Sequence, residues 1–133
     1  MAQEVPGSGA DERATFAEKT AFERQFYESL LARDRKDTRV VELLGHLYTQ
    51  SGMLTDGLKM DRKLVRLKPE DPTAHYNLAC SLALKNRKKE AVEALQEAVN
   101  LGYEDAAWIQ QDDDLENLRG YPAFEAILDR LAE

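Results

Sequence analysis

Residues 74–103 read AHYNLACSLALKNRKKEAVEALQEAVNLGY and contain two amphipathic helical patterns joined by a polar turn. The turn is Lys85-Asn86-Arg87, and Gly102 follows the second pattern. Apolar spacings of three and four residues place each set of side chains on one face of a helix. The stretch therefore predicts a helix–turn–helix hairpin. Its two apolar faces consist of Tyr76, Leu78, Ala79, Leu82 and Ala83, and of Ala91, Leu95, Ala98, Val99 and Leu101.

A second hairpin pattern lies 34 residues upstream. Asp37, Asp71 and Asp105 share this spacing, and Asp37 and Asp71 are predicted to cap helices because a carboxylate accepts hydrogen bonds from free N–H groups there. Pro72 then stands where its missing N–H costs nothing. A period of 34 residues indicates one hairpin per repeat. The upstream apolar positions are Val40, Leu43, Leu44, Leu47 and Tyr48, and then Met53, Gly57, Met60, Leu64 and Leu67.

The composition favours an all-α protein. The chain has 133 residues, about one domain's worth, and 43% of them are hydrophobic, too many for a wholly disordered chain. Leu and Ala, which favour helices, occur 18 and 17 times, whereas the β-branched Val and Ile occur 6 and 2 times. This balance argues against barrels, sandwiches and nucleotide-binding α/β sheets.

The two hairpins resemble the tetratricopeptide repeat (TPR) family. The resemblance rests on Tyr76-Asn77-Leu78-Ala79 in the second unit and on Leu44-Gly45 in the first, together with the small and apolar residues that follow them. The first unit departs from the family pattern at Asp61, where an aromatic residue is usual. The resemblance implies a short α-solenoid, a TPR superhelix of about two full repeats with an N-terminal half-repeat helix and a C-terminal helical cap.

The flanking segments are predicted to cover the two ends of the array, since solenoids usually need roughly three units for stability. At the N-terminal end, Phe22, Phe26 and Leu30 form the apolar stripe of a long helix that should cover the first hairpin. Residues 106–133 resemble the segment that closes such arrays, the TPR end-of-group cap. A third repeat helix would place Asp112 and Asp113 at buried positions, so we expect it to end near Ile109. A short helix at Leu115–Arg119 and a last helix from Pro122 should follow. The predicted organisation is a disordered tail at 1–11 and one domain at 12–133, made of a helix at 12–35, repeats at 38–71 and 72–105, and the cap at 106–133.

The resemblance implies a binding surface on the concave side of the superhelix. Asn77 stands where the family often uses a side-chain amide to hold a peptide backbone, and Tyr76 would add a large, rigid contact. Glu42 and His46 replace the Lys and Asn of the family's clamp for chaperone tails, which argues against recognition of a terminal carboxylate. The expected partner-binding residues are Arg39, Glu42, His46, Gln50, Thr73, Tyr76, Asn77, Cys80 and Leu84.

The sequence offers no pattern for catalysis, a metal or a cofactor. His46 and His75 have no second ligand one helical turn away, and Cys80 has no base close in sequence. The run Asp112-Asp113-Asp114 lacks the glycine and glutamate of a calcium loop and is predicted to form a turn with helix caps. We therefore predict a protein that is not an enzyme and binds no cofactor or metal.

Charge and hydropathy limit the classes of partner and the cellular compartment that the sequence predicts. The net charge is −7, and all of it falls in residues 104–133, which disfavours nucleic acid. Neither a secretory signal nor a membrane span is visible, and the single cysteine suits a reducing compartment, so we predict a cytoplasmic protein.

Two functions stay open at this point. The first is a non-catalytic interaction module that binds a peptide or helical segment of a partner protein in the concave groove. The alternative is a self-assembling homodimer, in which Phe16, Phe22 and Phe26 of the long N-terminal helix face a second copy.

Overall fold

The structure, a computed structural model, describes the backbone of residues 9–133 and the side chains of residues 15–133. This part of the chain contains helices and no strand. None of these helices is both long and apolar enough to cross a membrane. The elements are α1 (Gly9–Arg33), α2 (Thr38–Gln50), α3 (Leu54–Leu67), α4 (Pro72–Leu84), α5 (Lys88–Asn100), α6 (Ala106–Gln111), a 3-10 helix (Asp113–Leu118) and α7 (Pro122–Ala132).

Three aspartates 34 residues apart begin three helices, as predicted for Asp37 and Asp71. The Asp37 carboxylate accepts a hydrogen bond from the Arg39 N–H at 3.1 Å. Asp71 and Asp105 do the same for Thr73 N–H at 2.9 Å and Trp108 N–H at 3.0 Å. The repeat in the sequence is therefore a repeat of helix starts.

The helices stack side by side in chain order. The first hairpin is α2 with α3, the second is α4 with α5, and α3 packs against α4 to join them. Helix α4 also contacts the 3-10 helix, so it is enclosed by neighbours on three sides. This is the predicted short α-solenoid, and α4 is its central element.

The main core lies between the second hairpin and the C-terminal segment. Its side chains, which are almost inaccessible to solvent, include Leu82, Leu95, Ile109, Leu115, Leu118 and Phe124. A smaller cluster of Val41, Leu64 and Ala74 joins the two hairpins. The segment after Asp105 therefore covers the last hairpin with apolar side chains.

One premise about this C-terminal segment is wrong. Helix α6 continues past Ile109 to Gln111, and Asp112 is buried, with 8% of its surface exposed. The expectation was that a carboxylate at this position would have no partners. Asp112 instead receives hydrogen bonds from α4 and from the Asp114 N–H, while Asp113 is exposed to solvent.

The N-terminal helix differs from the prediction in two respects. It begins at Gly9 rather than Glu12, which overlaps the predicted tail, and residues 1–8 lie outside the described residues. Leu31 packs against the cluster that joins the hairpins, as expected of a covering helix. Phe22 and Phe26 do not, because 71% and 51% of their surfaces are exposed.

We expect Phe124→Ala to lower the free energy of unfolding by about 3–5 kcal/mol, because it empties a fully packed site in the main core. Urea denaturation followed by circular dichroism measures this. Phe26→Ala, the same substitution on the exposed face of α1, is the matched control and, at a concentration at which the chain is monomeric, should change stability by less than about 0.5 kcal/mol. Equal effects of the two substitutions would contradict the assignment of the core.

Candidate functional site

A pocket opens where the two hairpins and the C-terminal segment meet. It has a volume of about 230 Å³. Helices α2, α3 and α4 form most of its wall, and α6, the 3-10 helix and the residue between them complete it. The lining residues are Gly45, His46, Thr49, Asp61, Tyr76, Asn77, Cys80, Ser81, Leu84, Trp108, Asp112 and Asp114.

Five of the nine predicted binding residues line this pocket, namely His46, Tyr76, Asn77, Cys80 and Leu84. The other four, Arg39, Glu42, Gln50 and Thr73, do not line it. Glu42 is half-buried, and the remaining three are exposed elsewhere on α2 and α4. The pocket therefore includes only part of the predicted surface.

Tyr76 differs from the prediction of an accessible contact, because only 5% of its surface is exposed. Its ring stacks on Tyr103 with centroids 4.3 Å apart, and its hydroxyl donates a 2.5 Å hydrogen bond to Asp112 Oδ2. Burial, and after it the neighbouring Cys80 and Asp112, raise the pKa of this hydroxyl, so Tyr76 remains a donor. Tyr76 is a structural wall of the pocket, and Tyr76→Ala would damage the core.

Cys80 lies one helical turn after Tyr76 and shares its partner. The thiol Sγ is 3.7 Å from Asp112 Oδ2. Burial and the charges of Asp112 and Asp114 raise the pKa of this thiol, which keeps it protonated and unreactive. Ligand atoms of Cys80, Asp112 and Asp114 lie within 4.8 Å of one another, a grouping that sequence spacing did not reveal.

Asp61 stands on the α3 side of the pocket and is also buried. Its Oδ2 accepts a hydrogen bond from the Ser81 hydroxyl of α4. The opposite oxygen faces Gly45, where a Cβ atom would lie only 2.9 Å from Oδ1. Glycine at 45 therefore makes room for the carboxylate, and this pair replaces the aromatic packing that the family pattern predicts at position 61.

Sequence reasoning missed the residues that α6 and the 3-10 helix bring to the pocket. Trp108 lines it with 49% of its surface exposed, and Asp114 lines it from the start of the 3-10 helix. The sequence predicts helix caps at the Asp-rich turn, but it does not predict that this turn lines a pocket. Asp112 does cap the 3-10 helix through the Asp114 N–H at 3.0 Å, and its second oxygen points to α4. The sequence feature that could have indicated an acidic site at this turn is the run of three aspartates.

We expect the stability of the protein to depend on pH through Asp61. Burial raises the pKa of this carboxyl from 3.8 to about 7, so the folded chain holds a proton that the unfolded chain releases. The stabilisation is fully present below pH ~4 and is lost as the pH rises through ~7. Asp61→Asn removes this dependence and retains an acceptor for Ser81. Relative to wild type, the variant should gain about 2–3 kcal/mol between pH ~5 and pH ~8 in urea denaturation.

The control for this prediction is Asp129→Asn, which removes an exposed carboxylate from α7. Its stability should follow that of the wild type across the same pH range. Parallel curves for Asp61→Asn and wild type would contradict the assignment of the proton to Asp61.

Comparison with known proteins shows that the fold is similar to that of a helical repeat protein. No family model matches the chain. A chloroplastic protein of Arabidopsis thaliana is 30% identical over 128 residues, which cover 93% of this chain and 38% of that protein. The chain thus spans well under half the length of this relative. The crystal structure of MamA, a TPR-containing protein, is similar with a TM-score of 0.63 and 19% identity, over 96% of this chain and 76% of the MamA chain. The fold is therefore that of a TPR-type helical solenoid.

Proposed function

We propose that the chain is a non-catalytic interaction module that binds a segment of a partner protein at the pocket between its two hairpins. The observation that carries this proposal is the lining of the pocket, where the exposed Trp108 and the half-buried Asn77 come together. Trp is one of the residues that most often carry binding energy at protein interfaces, and a side-chain amide can both donate and accept hydrogen bonds with a partner backbone.

The rigidity of the surrounding structure supports the same proposal. Helix α4 supplies Asn77 and Leu84, and its own position is fixed by hydrogen bonds on both sides. A preformed site loses little conformational entropy when a partner binds, so more of the contact energy appears as affinity.

A catalytic role finds less support. The thiol of Cys80 has a raised pKa and carboxylate neighbours, whereas a nucleophilic cysteine needs a base or a positive field. The cytoplasmic location stays a prediction, and the Arabidopsis relative is a chloroplast protein by its name.

We expect Asn77→Ala and Trp108→Ala each to weaken partner capture by about 1–3 kcal/mol, because each removes a contact at the centre of the site. The wild type and the variants are immobilised and incubated with an extract of cells that naturally contain the protein. The captured proteins are quantified by mass spectrometry. Asn100→Ala, which truncates an exposed asparagine at the end of α5, is the matched control. Equal capture by all four proteins would exclude the pocket as the binding site.

We propose homodimerisation through α1 as the second candidate function. Phe16, Phe22 and Phe26 are all more than half exposed, and exposed apolar clusters mark interaction sites. Phe22 and Phe26 lie one turn apart on the same side of the helix.

We expect the double variant Phe22→Ser/Phe26→Ser to abolish such a dimer without unfolding the chain, since neither ring is buried in the monomer. Light scattering over a concentration series measures the mass. Wild type should reach twice the chain mass of 15.1 kDa while the variant stays at 15.1 kDa. A wild type that remains monomeric throughout would exclude this candidate.

A further inference from the structure

The lining of the pocket contains more acidic than basic side chains. Three acidic side chains line it, those of Asp61, Asp112 and Asp114, of which Asp61 holds a proton below pH ~7, and its twelve lining residues include neither Lys nor Arg. His46 is the only lining residue with a basic side chain, and its charge acts on Asp114. Carboxylate oxygens of Asp112 and Asp114 lie within 4.8 Å of each other, so the two groups repel, and a cation placed beside them would relieve that repulsion.

A few carboxylates elsewhere on the described surface are paired with cations. Glu90 meets both Arg62 and Arg87, and Asp71 meets Lys68. None of the ion pairs found within residues 15–133 includes a carboxylate of the pocket. A basic side chain that enters the pocket would therefore displace no Lys or Arg partner of these carboxylates.

The remaining walls suit a long side chain that carries a cation at its end. Trp108 lines the pocket with half of its surface exposed, and an indole face attracts Lys and Arg groups. Leu84 offers apolar surface for the methylene stem of such a side chain. The volume of 230 Å³ is below the roughly 300–1,000 Å³ of small-molecule sites, which favours a single side chain over a whole cofactor.

We propose that the partner segment inserts a lysine or arginine side chain into this pocket, with its charged end near Asp112 and Asp114 and its stem against Trp108. This inference rests on the proposed function and adds the chemistry of the partner, a protein segment with an exposed basic residue. Asn77, on the same wall, has donors and an acceptor with which to bind the backbone of that segment.

The test uses a library of random twelve-residue peptides displayed on phage, selected against the full chain. We expect the enriched peptides to carry Lys or Arg at one fixed position. The affinity of a synthetic enriched peptide is then measured by fluorescence polarisation. Asp114→Asn, Trp108→Ala and replacement of the basic residue by norleucine should each weaken binding about tenfold or more. Asp114→Asn combined with the norleucine peptide should cause little additional loss.

Asp113→Asn is the matched control, because it removes the same charge from the neighbouring residue, which is exposed and does not line the pocket. It should leave the affinity within about twofold of wild type. An equal loss in Asp113→Asn and Asp114→Asn would overturn the inference, since general attraction to an acidic chain would then explain the binding.

Other outcomes separate this inference from the proposed function. Enriched peptides that lose affinity with Asn77→Ala and Trp108→Ala but lack a shared basic residue would overturn the inference and leave the proposed function standing. Peptides unaffected by both substitutions would overturn both. A stoichiometric divalent metal in the purified protein, lost in Cys80→Ser, would place a metal ion where the inference places an ammonium or guanidinium group and would overturn it.

Discussion

The hydrogen bond from the Tyr76 hydroxyl to Asp112 is the contact on which the rest of the site depends. It joins α4, the central helix of the solenoid, to the segment that covers the last hairpin. A carboxylate at this depth would be strongly unfavourable without a donor. The donor therefore permits α6 to end in a buried aspartate, and that aspartate turns the chain into the 3-10 helix.

Helix α4 holds a second carboxylate in the same way on its other side. Ser81 donates to Asp61 of α3, and Gly45 of α2 leaves the space that this carboxylate needs. Two hydroxyls on one helix thus bind two buried carboxylates from different neighbours, and the pocket lies between them. Within residues 15–133, no fully buried side-chain nitrogen or oxygen lacks a partner. The same contacts that fix the packing therefore also bring acidic side chains to the pocket.

The fold followed from local patterns that sequence alone displays. The 34-residue spacing of Asp37, Asp71 and Asp105 marks helix starts, and helix caps depend only on residues a few positions away. The apolar faces of the hairpins were predictable for the same reason. The exposure of Phe22 and Phe26 was not predictable. Apolar side chains indicate a buried face, whereas 71% and 51% of these two surfaces are exposed. The site was only partly predictable because it depends on distant pairs. Asp112 is 36 residues from Tyr76 and Asp61 is 20 residues from Ser81, so no local pattern shows that either aspartate has a donor.

The most direct test of this account is a double-mutant cycle on Tyr76→Phe and Asp112→Asn, with the free energy of unfolding measured by urea denaturation for all four proteins. Phenylalanine keeps the stacked ring, and asparagine keeps the cap of the 3-10 helix. We expect a coupling energy of about 1–2 kcal/mol, as is usual for a buried hydrogen bond to a charged group. A coupling energy near zero, with the two substitutions simply additive, would contradict it.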